Sequence, residues 1–193
     1  MCFRFFYAIR EAWRFKKQLK NFMQMPYLQL ANIKDISISM LDAHGVTVLA
    51  LDYDGVLAAH GEPEPRPEII AWLRQFSTVF TPNKIYILSN KPTIERQAFF
   101  RQYFPAINFI CATRKKPYPD GLLQIATMAD VLPQNVLLVD DRLCTGILAT
   151  LIGGTQGLWI TEPYVNIMSK PVAESWFKFL RWFEQCFIKC MEK

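Results

Sequence analysis

The 193-residue chain contains no run of 18 or more apolar residues free of charge, so no membrane-spanning helix is expected. It has no CxxC pair: its five cysteines, at positions 2, 111, 144, 186 and 190, are scattered and odd in number. That pattern argues against a disulfide framework or a zinc site and suits a reducing compartment. Internal repeats and low-complexity tracts are missing too. Disorder is excluded by composition, because 51% of the residues are hydrophobic and 14% aromatic. The length suits one globular domain with a substantial core.

Acidic residues are scarce in one place only. Residues 1–22 hold Arg4, Arg10, Arg14, Lys16, Lys17 and Lys20 against the single acid Glu11, which accounts for the whole net charge of +5. The rest of the chain balances at 16 basic against 16 acidic residues. This arm, residues 1–25, also lacks proline and glycine and is expected to be an amphipathic helix. Phe5, Ile9, Ala12, Phe15, Leu19 and Phe22 recur at three- and four-residue steps, with Arg10, Arg14, Lys17 and Asn21 opposite. Charges at positions 4, 10, 11 and 14 leave no hydrophobic region for a secretory signal. A mitochondrial transit peptide is Arg-rich and acid-poor in the same way, but the arm contains no serine.

From residue 46 onward, short apolar runs alternate with helix-like segments. The runs are VTVLALD (46–52), KIYILSN (84–90), INFICA (107–112), NVLLVDD (135–141) and GLWIT (157–161). Their continuous apolar character fits strands covered on both faces. The intervening segments 67–77, 92–104, 119–130 and about 144–152 read as helices, and an aromatic one follows at 171–193. The expectation is a doubly wound, Rossmann-like α/β fold: a five-stranded parallel sheet with helices on both faces. It divides as the arm, a domain over 26–170, and a C-terminal helix packed on that domain.

The strand ends carry the chemistry. The first run closes in Asp52-Tyr53-Asp54, the second in Ser89-Asn90 and the fourth in Asp140-Asp141, while the third leads to Arg114, Lys115 and Lys116. Open α/β sheets bind ligands at the carboxyl ends of their strands. Acids gathered there repel one another unless a cation joins them, and an all-oxygen ligand set suits Mg2+.

This order of motifs resembles the haloacid dehalogenase superfamily of aspartate-nucleophile phosphatases over residues 46 to about 162. DxDx[T/V] corresponds to Asp52-Tyr53-Asp54-Gly55-Val56, the strand-end hydroxyl to Ser89, the lysine to Lys116 in KKPYPDG, and the late acids to VLLVDD. The resemblance implies that Asp52 attacks phosphorus and carries an aspartyl-phosphate, and that Asp54 acts as general acid and then base. It further implies that Lys116 neutralises the charge shared by Asp52 and the phosphoryl group, that Ser89 and Asn90 bind substrate, and that Asp52, Asp54 (through its carbonyl) and Asp141 hold Mg2+. Along an extended strand, Asp54 should point the same way as Asp52.

The intervals between motifs leave no room for a cap domain, so an open site is expected, suited to a phosphate on a macromolecule or a lipid. His60, in the loop 58–66, is read as a solvated loop residue. Further likeness to the phosphatidylglycerophosphate phosphatase branch lies in the lead-in MPYLQLANIKDISISMLDAHGVTVLALDYDGVL and in YILSNKP, KKPYPDG and VDDRLCTG. That likeness implies a lipid phosphate substrate at an anionic membrane surface. The protein would then lie peripherally on the cytoplasmic face of a membrane, or on the matrix side in a mitochondrion. Two departures stand out. Gly55-Val56 replaces the usual Asn-Thr, and Asp140…Gly146 replaces a Gly…Asp pattern, leaving no carboxylate at 146. The arm fits lipid through its aromatic, cationic faces, while docking on its own domain or on a second subunit is the competing reading. Nucleic acid is disfavoured by the aromatic density, and the oligomeric state is left open. Alternatives to a lipid phosphatase are a soluble phosphatase and an interaction protein with weakened catalysis.

Overall fold

The computed structural model describes residues 2–191. Six parallel strands form its sheet: β1 (Gln29–Leu30), β2 (Val48–Leu51), β3 (Ile85–Leu88), β4 (Asn108–Ile110), β5 (Val136–Asp140) and β6 (Gln156–Ile160). Their spatial order is β1-β6-β5-β2-β3-β4. The expected five strands are therefore six. The addition is a two-residue edge strand whose Gln29 and Leu30 pair with Trp159 and Ile160. It is too short to leave a pattern in sequence.

Helices connect the strands: α3 (Ile38–Ala43), α4 (Pro67–Val79), α5 (Ile94–Tyr103), α6 (Asp120–Ala129) and α7 (Leu148–Gly153). Side-chain alternation along β2 divides the core between two faces. Leu49 and Leu51 pack in one cluster with Ile69 and Leu73 of α4 and Phe99 and Phe100 of α5. Val48 and Ala50 pack in the other with Leu122, Ile125 and Ala126 of α6 and Ala149 of α7. Every residue of β2, β3 and β5 is buried, which is why these runs carry no polar alternation.

The chain runs outward through β2, β3 and β4, then returns on the other side of β2 as β5. The β2/β5 boundary is thus the switch point where a crevice opens beyond the strand ends.

The arm is two helices, α1 (Cys2–Arg14) and α2 (Lys16–Gln24), broken at Phe15. Its apolar stripe does not stay free along its length. Ala12, Leu19 and Phe22 are buried in a third cluster with Leu143, Ile147, Leu148, Trp159 and Ile188, the last from α8 (Pro171–Cys190). Phe3, Phe5, Phe6 and Trp13 of α1 remain exposed. No helix among the described residues is long and apolar enough to cross a membrane.

The C-terminal helix α8 lies across the strand-end rim. Its Glu174 accepts from the main-chain N–H of His60, and its Arg181 and Glu184 bond Asp141 and Arg142. The expectation of an open site is corrected accordingly: Asp52, Ser89, Lys116, Asp140 and Asp141 are all buried. Short intervals between motifs do exclude an inserted cap, but they say nothing of a roof supplied from the chain's end.

Candidate active site

Asp52 directly follows β2, and its N–H donates to Val139 O of β5 at 2.9 Å, which holds it at the switch point. Lys116 reaches the same place from the loop after β4. Its ammonium donates to Asp52 Oδ1 at 2.7 Å, Asp140 Oδ2 at 2.5 Å and the Leu88 carbonyl at 3.2 Å. Three acceptors match the three donors of an ammonium. Lys115 is exposed, so Lys116 is the lysine that meets the acids. Asn90 fixes this loop: Lys116 N–H donates to Asn90 Oδ1 at 2.7 Å, and Asn90 Nδ2 donates back to Lys116 O at 3.4 Å. One N–H and one oxygen lone pair of its amide thereby position Lys116. The hydroxyl of Ser89, at the end of β3, accepts from Lys91 N–H at 3.0 Å.

Asp140 and Asp141 close β5. Asp140 Oδ1 accepts from Arg142 N–H at 2.9 Å, and Asp141 Oδ2 accepts from Arg181 Nη1 at 2.6 Å. Carboxylate oxygens of Asp52, Asp140 and Asp141 lie within 4.8 Å of one another. The Asp54 side chain is not in this trio. It turns instead to Arg96, which grips it through Nη2 to Oδ1 at 2.6 Å and Nη1 to Oδ2 at 3.0 Å, while Gly61 N–H donates to Oδ1. The β2 strand ends at Leu51 and the chain turns, so the two-residue period that would align Asp54 with Asp52 no longer holds.

The donor set fits a hard divalent cation. Three acids face two cationic side chains, Lys116 and Arg181, and Asp141 Oδ1 is buried with no hydrogen-bond partner. Burial, together with the carboxylates around it, pushes Asp52 well above the usual carboxylate range despite Lys116. Burial and the neighbouring Asp140 raise Asp141 to about 7, against the opposing pull of Arg181. Lys116 moves the other way: burial lowers its pKa, but Asp140 and Asp52 outweigh that and raise it. Burial would lift Asp54 too, yet the hydrogen bonds and charge of Arg96 hold it below the ordinary range.

The glycines of the two departures both stand where a side chain would meet a carboxylate, while nothing in the structure explains Val56. Gly55 has φ +88°, a backbone that glycine adopts freely, and a Cβ there would lie 2.6 Å from Asp141 Oδ2. A Cβ at Gly146 would lie 1.9 Å from Asp140 Oδ2 and Cγ. The Asp140 carboxylate thus fills the space over Gly146.

His60 is not solvated. It is buried, stacks on Phe177 at 3.5 Å between ring centroids, and burial lowers its pKa to about 4. Arg96, Arg181 and Glu184 went unnoticed in the sequence. Arg181 and Glu184 stand three apart in a helix that also carries Glu174, Lys178 and Lys189, so their spacing alone does not mark an inward polar face; Arg96 gives no signal either.

The chain belongs to the haloacid dehalogenase-like hydrolases, whose family model matches residues 8–149. No curated protein matches it. Among solved structures, an uncharacterized protein from Corynebacterium glutamicum is 18% identical, with 71% of this chain and 96% of that one covered and a TM-score of 0.48. A haloacid dehalogenase-like family hydrolase from Streptococcus pneumoniae is 14% identical over 72% and 99% of the two chains, with a TM-score of 0.48. One from Deinococcus radiodurans, solved with bound phosphate and sodium, is 14% identical over 63% and 84%, with a TM-score of 0.42.

Proposed function

We propose that this hydrolase is a Mg2+-dependent phosphomonoesterase acting on a lipid phosphate, phosphatidylglycerophosphate or a similar one, at a membrane surface. The observation that carries the hydrolytic part is the Lys116 ammonium held between Asp52 and Asp140 at the switch point. Asp52 attacks phosphorus, the alkoxide leaves, and water later cleaves the aspartyl-phosphate to release inorganic phosphate. Lys116 balances the charge that builds on Asp52 and the phosphoryl oxygens. Ser89 lies at the adjacent strand end, where its hydroxyl can donate to the phosphate while accepting from Lys91. Once its ion pair with Arg96 opens and it has taken up a proton from solvent, Asp54 gives that proton to the leaving oxygen and then takes one from the attacking water. Asp52, Asp141 and the Asp54 carbonyl would hold Mg2+, which when bound offsets the repulsion between the attacking carboxylate and the phosphate.

Support for a lipid substrate comes from α1, whose exposed aromatics and basic residues suit an anionic bilayer. This would place the protein peripherally on a membrane. Phosphate release from p-nitrophenyl phosphate and from phosphatidylglycerophosphate vesicles tests the assignment. Turnover of both with Mg2+, lost on chelation and in Asp52→Asn, is expected. Turnover that survives Asp52→Asn would refute nucleophilic attack by this residue.

One observation favours a second reading, an interaction protein with weakened catalysis: Arg181 sits on a carboxylate that a metal would need. Absence of hydrolysis by both the wild type and Arg181→Ala would select it.

A further inference from the structure

An apolar groove of about 590 Å³ runs between α1 and α8, with Phe5 and Ile9 on one wall and Trp176, Phe179 and Phe183 on the other. Ligand pockets are typically about 300–1,000 Å³ and mostly apolar. Pro117, Arg142 and Thr145 also line the groove. Pro117 follows Lys116 in the chain and Arg142 follows Asp141, so the groove lining includes immediate chain neighbours of two site residues. Tyr7 of α1 stacks on Tyr118 at 4.3 Å between centroids, which ties the groove wall to the loop that carries Lys116.

We infer that this groove binds one acyl chain of the lipid whose phosphate is cleaved at Asp52, an inference that rests on the phosphatase reading above. Charge distribution selects that occupant. Arg142 within the groove is neutralised by Glu184, leaving the interior without net charge for a hydrocarbon tail. Arg4 lines the groove with no ion pair among the described residues, whereas Arg10 and Arg14 pair with Glu11 and do not line it. An apolar trough with one unpaired cation, Arg4, and with residues adjoining an anion-handling site matches an anionic amphiphile. A purely apolar occupant would leave Arg4 without a counter-charge. The rings along α8 continue outward from Phe187 through Phe183 and Phe179 to Trp182 and Trp176 at centroid spacings of 5.7–6.3 Å. A large exposed apolar surface of this kind marks an interaction site.

Two measurements on the full chain test the inference. In the first, Mg2+-loaded enzyme is given glycerol phosphate and its monoacyl esters with chains of 4, 8 and 12 carbons, each below its micelle concentration. Burial of methylenes should raise kcat/KM by up to about fourfold per CH2 until the groove is full. Ile9→Trp, which narrows the groove, should cut the ratio of 12-carbon to chain-free turnover at least tenfold within the same protein preparation. The second measurement is binding of a fluorescent fatty acid, read by its emission and independent of catalysis; it should weaken in the same variant. Equal turnover of all four esters with no fatty-acid binding would overturn the groove while leaving the phosphatase reading intact. Fatty-acid binding without hydrolysis of any ester would remove the phosphatase reading and with it the claim that the tail belongs to the substrate. If Ile9→Trp instead shifts the sedimentation of the protein and fatty acid never binds, the occupant is a second copy of the chain and the inference fails.

Discussion

Exchanging Asp140 and Gly146 probes how this chain arranges its late acids. In Gly146→Asp the new Cβ would lie 1.9 Å from the Asp140 carboxylate, where contacts below 3.0 Å are not sustained. Asp140 cannot retreat freely, because Lys116 Nζ and Arg142 N–H hold its two oxygens at 2.5 and 2.9 Å. Pushing it out breaks a buried ion pair, which costs about 3–5 kcal/mol. Asp140→Gly leaves Lys116 paired with Asp52 and relieves repulsion among the acids, so it should cost less, about 1–3 kcal/mol. Were the two independent, the double variant would lose about 4–8 kcal/mol, enough to unfold many domains of ordinary stability. The structure predicts the reverse. With the Asp140 side chain gone, the carboxylate at 146 enters the vacated space beside Lys116, and the double variant should be more stable than either single one. Urea denaturation followed by circular dichroism measures all three variants against wild type, and p-nitrophenyl phosphate turnover shows whether the exchanged site still functions. A Gly146→Asp protein as stable as wild type, or a double variant weaker than both singles, would refute the steric exchange.

Other perturbations follow from neighbouring contacts. Arg96→Leu strands Asp54 beside a buried gap and should cost about 3–5 kcal/mol in urea denaturation; a loss under 1 kcal/mol would mean the pair is solvated in practice. His60 is ordinarily protonated below 6.5 but is held to about 4 in the fold, so between those values the unfolded chain binds a proton that the native one does not. Stability therefore falls as pH drops from about 6.5 to about 4, by about 3 kcal/mol from this residue. The gap between wild type and His60→Gln should shrink by that amount, and a gap independent of pH would contradict a buried neutral imidazole. Arg181→Ala frees Asp141 Oδ2 and should raise the melting-temperature gain on adding Mg2+; an unchanged gain would show that Arg181 does not compete with the cation.

Much of the fold was legible because β2, β3 and β5 are buried on both faces, which forces unbroken apolar runs, and because the helices between them are long enough to show their period. The meeting of Asp52, Lys116, Asp140 and Asp141 was legible because they sit at or just beyond strand ends, and parallel strands deliver their ends to one rim. The direction of Asp54 was not, since it depends on a turn just past the strand and on an arginine 42 residues away. Nor was the roof over the site. An aromatic amphipathic helix at the end of a chain carries no address, and only packing revealed that Arg181 and Glu184 face inward while Trp176 and Trp182 face out.

By itself the sequence determined the parallel α/β sheet and the set of polar groups at its rim, because hydrophobic period and residue order act locally along the chain. Tertiary structure alone decided which acid pairs with which cation, why glycine stands at 55 and 146, and that α8 closes over the site. Those outcomes depend on distances of a few ångströms between segments far apart in sequence, where ion pairing and steric exclusion operate and local pattern has no reach.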